Sequence, residues 1–220
     1  MKMQGILQLR SISLSFGSEP IIQGLNLTVQ PGEIVALMGP SGCGKSTFLS
    51  ALCGLIPEQF QFSGEVLLGQ QNLTQLPLAK RQVGMLFQED LLFPHMSVKG
   101  NLAFALPQGL SRHERHHQVM VLLDEVGMTA LADRDPATLS GGQKARISLL
   151  RTLLAKPQLL LLDEPFSKLD QVTRSQFRQL VWSYITRYQL PTLLVTHDSA
   201  DIPGHCSQVI QLPYLGSTLC

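Results

Sequence analysis

Residues 39–47 read GPSGCGKST, a spacing of glycines, lysine and hydroxyl groups that can wrap a phosphate. Glycines in such a loop let successive backbone N–H groups turn inward on phosphate oxygens. Gly39, Pro40, Ser41, Gly42, Cys43 and Gly44 would form the cradle, and Lys45 would reach the β- and γ-phosphates. Ser46 would offer its hydroxyl to Mg²⁺, with Thr47 beside it in the first turn of a helix whose positive end favours an anion. An ordinary glycine turn would account for the glycines alone. It would not account for a Lys-Ser pair set between a buried-strand pattern and a helix pattern.

The stretch LLLLDE (159–164) supplies acids for the same chemistry. Four apolar residues predict a buried strand, expected beside the phosphate-loop strand, which brings Asp163 out at the carboxyl end where α/β proteins collect ligands. Asp163 can hold Mg²⁺, directly or through water. Glu164 carries more information. A second carboxylate next to a metal-binding one is disfavoured by like-charge repulsion, and orienting or deprotonating an attacking water is a role that would retain it. A solvated acidic pair at a strand end is the plainer alternative, which the phosphate loop overrides.

The elements that must position these groups follow from periodicity. Ile6–Phe16 and Leu25–Val29 alternate as strands, the second ending in a Pro31-Gly32 turn. Ile34–Met38 is a continuous apolar run, and a helix is expected from Lys45 to about Gly54. GEVLL (64–68) predicts another strand. Helix patterns dominate from Val98 to about Ala155, broken by Pro107 and Pro136. Strands are expected again at 158–162 and 192–196, with a helix over about 171–187 between them. The fold class is therefore α/β: a strand–helix core, an antiparallel N-terminal sheet and a helical insertion.

Composition narrows the setting. The chain has 220 residues, 44% of them hydrophobic and only 15% charged, with a formal net charge of +1. That balance gives no support for nucleic-acid binding through a basic face. No apolar run approaches the ~18 residues of a membrane span, and MKMQGILQLR lacks a signal-peptide core. Cys43, Cys53, Cys206 and Cys220 show no metal-binding spacing. A membrane role would have to come through partners.

Taken with LSGGQ (139–143), these motifs resemble the ATP-binding subunits of ABC transporters, in the expected order over nearly the whole chain. The resemblance implies a P-loop NTPase (RecA-like) core with an antiparallel β subdomain, spanning 1–87 and 139–220, and an α-helical subdomain inserted at 88–138. It places the adenine-stacking aromatic on Phe16 of LSFG, where tyrosine is more usual. The glutamine loop falls on Gln88 of LFQED, which would sense Mg²⁺ and water, and the switch histidine on His197 of LLVTHD. Glu164, His197, Gln88 and Lys45 are then the catalytic set, and Ser46, Gln88 and Asp163 the metal set. Ser140, Gly141, Gly142 and Gln143 would cap the γ-phosphate of ATP held by a second copy. Asp170 of SKLD would stand at the seam, where Lys168 replaces the usual alanine.

LLFPHMSVKGNLAF (91–104) resembles the segment following the glutamine loop in binding-protein-dependent importers, with Gly100 replacing the usual acid. EQFQFSGEV, DPATLSGGQKAR and DEPFSKLD are similar to YnjD-type importer subunits, and more loosely to thiamine and ferric-iron importer ATPases. The implied partners are ATP, a second copy packed head to tail, transmembrane permease subunits and, indirectly, a periplasmic solute-binding protein. The implied location is the cytoplasmic face of the bacterial inner membrane. The chain ends soon after QVIQLP, so no C-terminal regulatory barrel is expected. An exporter or lipid-extracting ATPase would use the same motifs, with only the 88–104 resemblance against it. A soluble ABC ATPase usually carries coiled-coil insertions or a second cassette, and a small-molecule kinase would leave LSGGQ, Gln88 and His197 unexplained.

One motif competes. HERHH (113–117) fits H-E-x-x-H, the zinc-protease pattern. Ser111 and Glu114, however, form S-x-x-E, the signature of a capping box at a helix start, which would occupy Glu114.

Overall fold

The computed structural model describes residues 5–214. Its strands form two sheets. An antiparallel sheet is built from β1 (Leu7–Phe16), β2 (Glu19–Val29), β4 (Phe60–Leu68) and β5 (Gln71–Asn72), in the order β2-β1-β4-β5. A parallel sheet takes β3 (Ile34–Met38), β6 (Val83–Leu86), β7 (Leu159–Asp163), β8 (Thr192–Val195) and β9 (Gln208–Gln211), in the order β6-β7-β8-β3-β9. Among the described residues five α-helices accompany them: α1 (Lys45–Cys53), α2 (Val98–Ala105), α3 (Arg112–Glu125), α4 (Gly141–Leu154) and α5 (Gln171–Tyr188).

The leucine run of β7 explains how one sheet serves two cores. Side chains alternate between the faces of a strand. Leu159 and Leu161 therefore join β1, β2, β4 and α1 in one core, while Leu160 and Leu162 join α2 to α5 in the other. Val35 and Leu37 against Ile34, and Leu193 and Val195 against Leu194, divide the same way. A parallel sheet covered on both faces needs apolar residues at every position, hence the continuous runs.

Four expectations change. β7 does not lie beside β3, because β8 pairs with both and separates them. The apolar run was sufficient to predict burial, but burial does not specify a neighbour. The GEVLL strand begins earlier, at Phe60, since its solvent-side residues pair with β1 as far as Phe16. Two further parallel strands, β6 and β9, complete the sheet. The long helical region resolves into α2, α3 and α4, and Pro136 starts a short 3-10 turn, capped by Asp135, rather than ending a helix. Within α3, Val119, Leu122 and Leu123 are buried but Val121 is exposed. Helix α3 begins with the expected capping box: Glu114 N donates to Ser111 Oγ at 3.2 Å, and Ser111 N to Glu114 Oε2 at 2.7 Å.

Candidate functional site

The phosphate loop leaves the carboxyl end of β3 and enters α1. Gly39 is confined by its surroundings: a Cβ there would stand 2.5 Å from the Leu212 carbonyl oxygen. Lys45 is 5% exposed, and its ammonium donates to the carbonyls of Gly39 at 2.9 Å and Pro40 at 2.8 Å. The cation is thus held inside its own loop. Ser46 Oγ donates to Asp163 Oδ1 at 2.9 Å, joining loop and β7 across 117 positions of chain. The intervening β8 does not prevent this contact, because both groups stand at the same edge of the sheet.

Asp163 is buried at the last position of β7. Burial pushes its carboxyl above the usual range, the Ser46 hydrogen bond pulls it down, Glu164 raises it and Lys45 lowers it. Glu164 follows with φ 44°, a left-handed backbone that a non-glycine residue adopts only when its surroundings enforce it. Here its N–H donates to the Val195 carbonyl at 3.0 Å, and its own carbonyl accepts from Ser167 N and Oγ. Its carboxylate faces His197, with Oε2 3.2 Å from Nδ1. His197 follows β8 and is exposed.

A cleft of about 680 Å³ opens over this edge, lined by Ser41 to Thr47, Gln88, Glu164 and, at its far side, Phe16 and Phe60. The Phe16 and Phe60 rings meet at 5.1 Å, and Phe16 remains half-exposed. Phe60 was missed in the sequence. Its signal is the FQF alternation that extends β4 toward Phe16. A larger cavity, about 930 Å³, lies elsewhere, at the amino edge of the parallel sheet between the ends of α3, α4 and α5. None of the candidate site residues lines it.

Residues 139–143 do not line this nucleotide cleft, but Gly141 lines a small adjoining cavity of about 60 Å³ together with Gln88 and Glu164. Ser140 caps α4 by accepting from Gln143 N at 3.3 Å, and Gln143 Oε1 accepts from Ser140 N at 3.0 Å. The amides of Gly141 and Gly142 occupy the first helical positions, where no intrahelical carbonyl can reach them. Asp170 also stands outside the cleft and caps α5 through Thr173 N at 3.0 Å, which holds its carboxyl below the usual range.

Asn101 is a second residue that sequence reasoning passed over. Fully buried, it clamps the 91–97 loop: its Oδ1 accepts from Phe93 N, and its Nδ2 donates to the carbonyls of Phe93, Met96 and Ser97. Its position beside Gly100 was the available signal.

The family model described as ABC transporter matches residues 22–167. The chain is 47% identical over 202 residues to the ABC transporter ATP-binding protein YnjD of Escherichia coli, covering 92% of this chain and 93% of that protein. It is 41% identical to the spermidine/putrescine import ATP-binding protein PotA of Haemophilus influenzae and to the Fe(3+) ions import ATP-binding protein FbpC 1 of Rhizobium meliloti. In each case 94% of this chain is matched, but only 55% and 58% of those longer proteins. With a phosphate loop, its acidic partner strand and LSGGQ on such a fold, the chain belongs to the ABC transporter family of ATP-binding, ATP-hydrolysing proteins.

Proposed function

We propose that this ATPase energises a solute importer, working as a head-to-tail pair of copies that enclose two ATP molecules. The observation that carries the hydrolytic assignment is the meeting of Ser46, Asp163, Glu164 and His197 at one edge of the parallel sheet. Ser46 and Asp163 fit Mg²⁺: both are oxygen donors, they lie 2.9 Å apart, and their mutual hydrogen bond uses one carboxylate oxygen only. When bound, that ion would neutralise charge on the phosphate oxygens. The loop amides and Lys45 would hold the β- and γ-phosphates, and Phe16 with Phe60 would offer the adenine a ring face. Glu164 would orient or deprotonate the attacking water, with His197 steadying it and reaching the γ-phosphate. Gln88 would complete the wall on the side of the 91–104 segment.

Residues 1–87 and 139–220 would act as the ATP-binding core, and 88–138 as a helical subdomain carrying the permease contact. Ser140 and the amides of Gly141 and Gly142 would cap the γ-phosphate bound by the other copy, with Asp170 at the seam. Support for sharing comes from the absence of all five signature residues from the walls of their own chain's cleft. Import is supported by the names of PotA and FbpC 1 and by the 91–104 segment. Its partners would be permease subunits and, through them, a periplasmic binding protein, at the cytoplasmic face of the inner membrane. No described helix is long and apolar enough to cross a membrane, so attachment would run through the permease.

Glu164→Gln tests the hydrolytic assignment. Nucleotide binding should persist while turnover falls by about 10²-fold or more. Hydrolysis at the parental rate would overturn the assignment of Glu164.

A further inference from the structure

His197 is exposed, so packing of its own ring does not fix it. Its neighbours are fixed. Thr196 is 1% exposed, and its N–H donates to the Leu37 carbonyl at 3.2 Å, extending the ladder from the phosphate-loop strand. Asp201, four residues beyond His197, is 3% exposed. A carboxylate so deep in the protein is tolerated only when paired and hydrogen-bonded. Arg174 of α5 supplies both requirements: Nε donates to Oδ1 at 2.8 Å and Nη2 to Oδ2 at 2.6 Å, a two-pronged fork. Arg178 adds a longer contact to Oδ1 at 3.6 Å.

The same fork reaches both flanks of His197. Thr196 Oγ1 donates to Asp201 Oδ2 at 2.9 Å, on the side before it. On the side after it, Asp198 Oδ2 lies 2.8 Å from Arg174 Nη2, and Asp198 N donates to Thr196 Oγ1 at 3.1 Å. Arg174 is itself placed by the first turn of α5, where its N–H donates to the Asp170 carbonyl at 2.8 Å. One guanidinium therefore sets the histidine loop against the helix that follows SKLD.

We infer that Arg174, Asp201 and Thr196 are positioning residues for ATP hydrolysis, acting through His197 by fixing where its imidazole stands against Glu164. None of the three lines the nucleotide cleft, so loss of the fork should lower kcat and leave nucleotide affinity alone. The inference rests on the assignment of hydrolysis to Glu164 and His197, whose own failure shows separately as parental turnover in Glu164→Gln.

The test is a double-mutant cycle of parent, Arg174→Gln, His197→Ala and the pair, with hydrolysis followed on radiolabelled ATP and affinity on a fluorescent ATP analogue. Arg174→Gln should lower kcat about tenfold in the parent but less than about twofold in the His197→Ala background, with KM and affinity held within about twofold. A residue that merely stabilises the fold would cost the same factor in both backgrounds, and that result would overturn the inference. Unchanged kcat in the parent, or an effect confined to KM, would do so as well. Should Arg174→Gln fail to fold, Thr196→Val removes one hydroxyl only and enters the same cycle with the same expectations.

Discussion

At Asp163, stability and chemistry pull in opposite directions. The carboxylate is buried, and loss of hydration there pushes its folded pKa above the usual carboxylate range. A raised folded pKa means that the unfolded chain ionises first. The folding penalty is therefore absent at pH below the unfolded value, and it grows as pH climbs from there through the folded value. Asp163→Asn keeps an oxygen for the Ser46 hydroxyl and removes the charge. The nucleotide-free variant should melt higher than the parent at neutral pH, by about 2–4 °C for each kcal/mol relieved, with the gap closing below about pH 4. Its Mg²⁺-dependent ATP affinity should fall. Calorimetry across pH, with nucleotide binding in magnesium and in EDTA, checks both halves; a variant that melts lower at neutral pH would contradict the burial argument. Such residue types and their order were legible in the sequence because the chemistry dictates the type. Arg174 and Asp201 were not legible, since nothing in a string of letters says which of several arginines meets a carboxylate 27 positions away.

The start of α4 shows what an element demands of its residues. A Cβ on Gly142 would fall 2.3 Å from Thr173 Cγ2 of α5, whereas a Cβ on Gly141 would find its nearest neighbour, the Lys168 carbonyl oxygen, at 3.9 Å. The two glycines of LSGGQ thus differ within their own chain: the second lets α4 approach α5, and the first has room to spare. Gly142→Ala should destabilise the isolated chain by about 1–3 kcal/mol through overpacking, and Gly141→Ala should leave its stability little changed. Urea denaturation of both variants measures the difference, and equal destabilisation would contradict this geometry. Elements of this kind were legible where one pattern covered a whole segment, as in α5 or the apolar runs of β3, β7 and β8. β6 escaped because VGML is short and holds a glycine, and β9 because Gln208–Gln211 buries only Ile210. The order β6-β7-β8-β3-β9 is likewise a tertiary choice. A strand buried on both faces shows that neighbours exist and leaves their identity open.

At the scale of the whole molecule, the phosphate loop and the glycine turn at the start of α4 are separate elements, and the turn does not line the loop's cleft. Lys45, Ser46, Asp163 and Glu164 gather at one cleft, whose walls include neither Gly141 nor Gly142; Gly141 lines a small adjoining cavity with Gln88 and Glu164. Helix-end amides in the first turn attract an anion and gain most when that anion is already fixed in place. A second copy turned head to tail would provide such an anion in its own cleft, and would receive one in return, as a closed two-fold pair requires. Ser140 makes this separable from the cleft, because it does not line the cleft and its hydroxyl accepts a hydrogen bond from the turn that it caps. Ser140→Arg should therefore bind ATP as the parent does, while ATP-driven dimerisation, followed by light scattering in the Glu164→Gln background, should disappear. Hydrolysis by the otherwise parental protein should be lost with it. A Ser140→Arg chain that still dimerised on ATP would show that the signature serves its own nucleotide, and the shared-site reading would then fail.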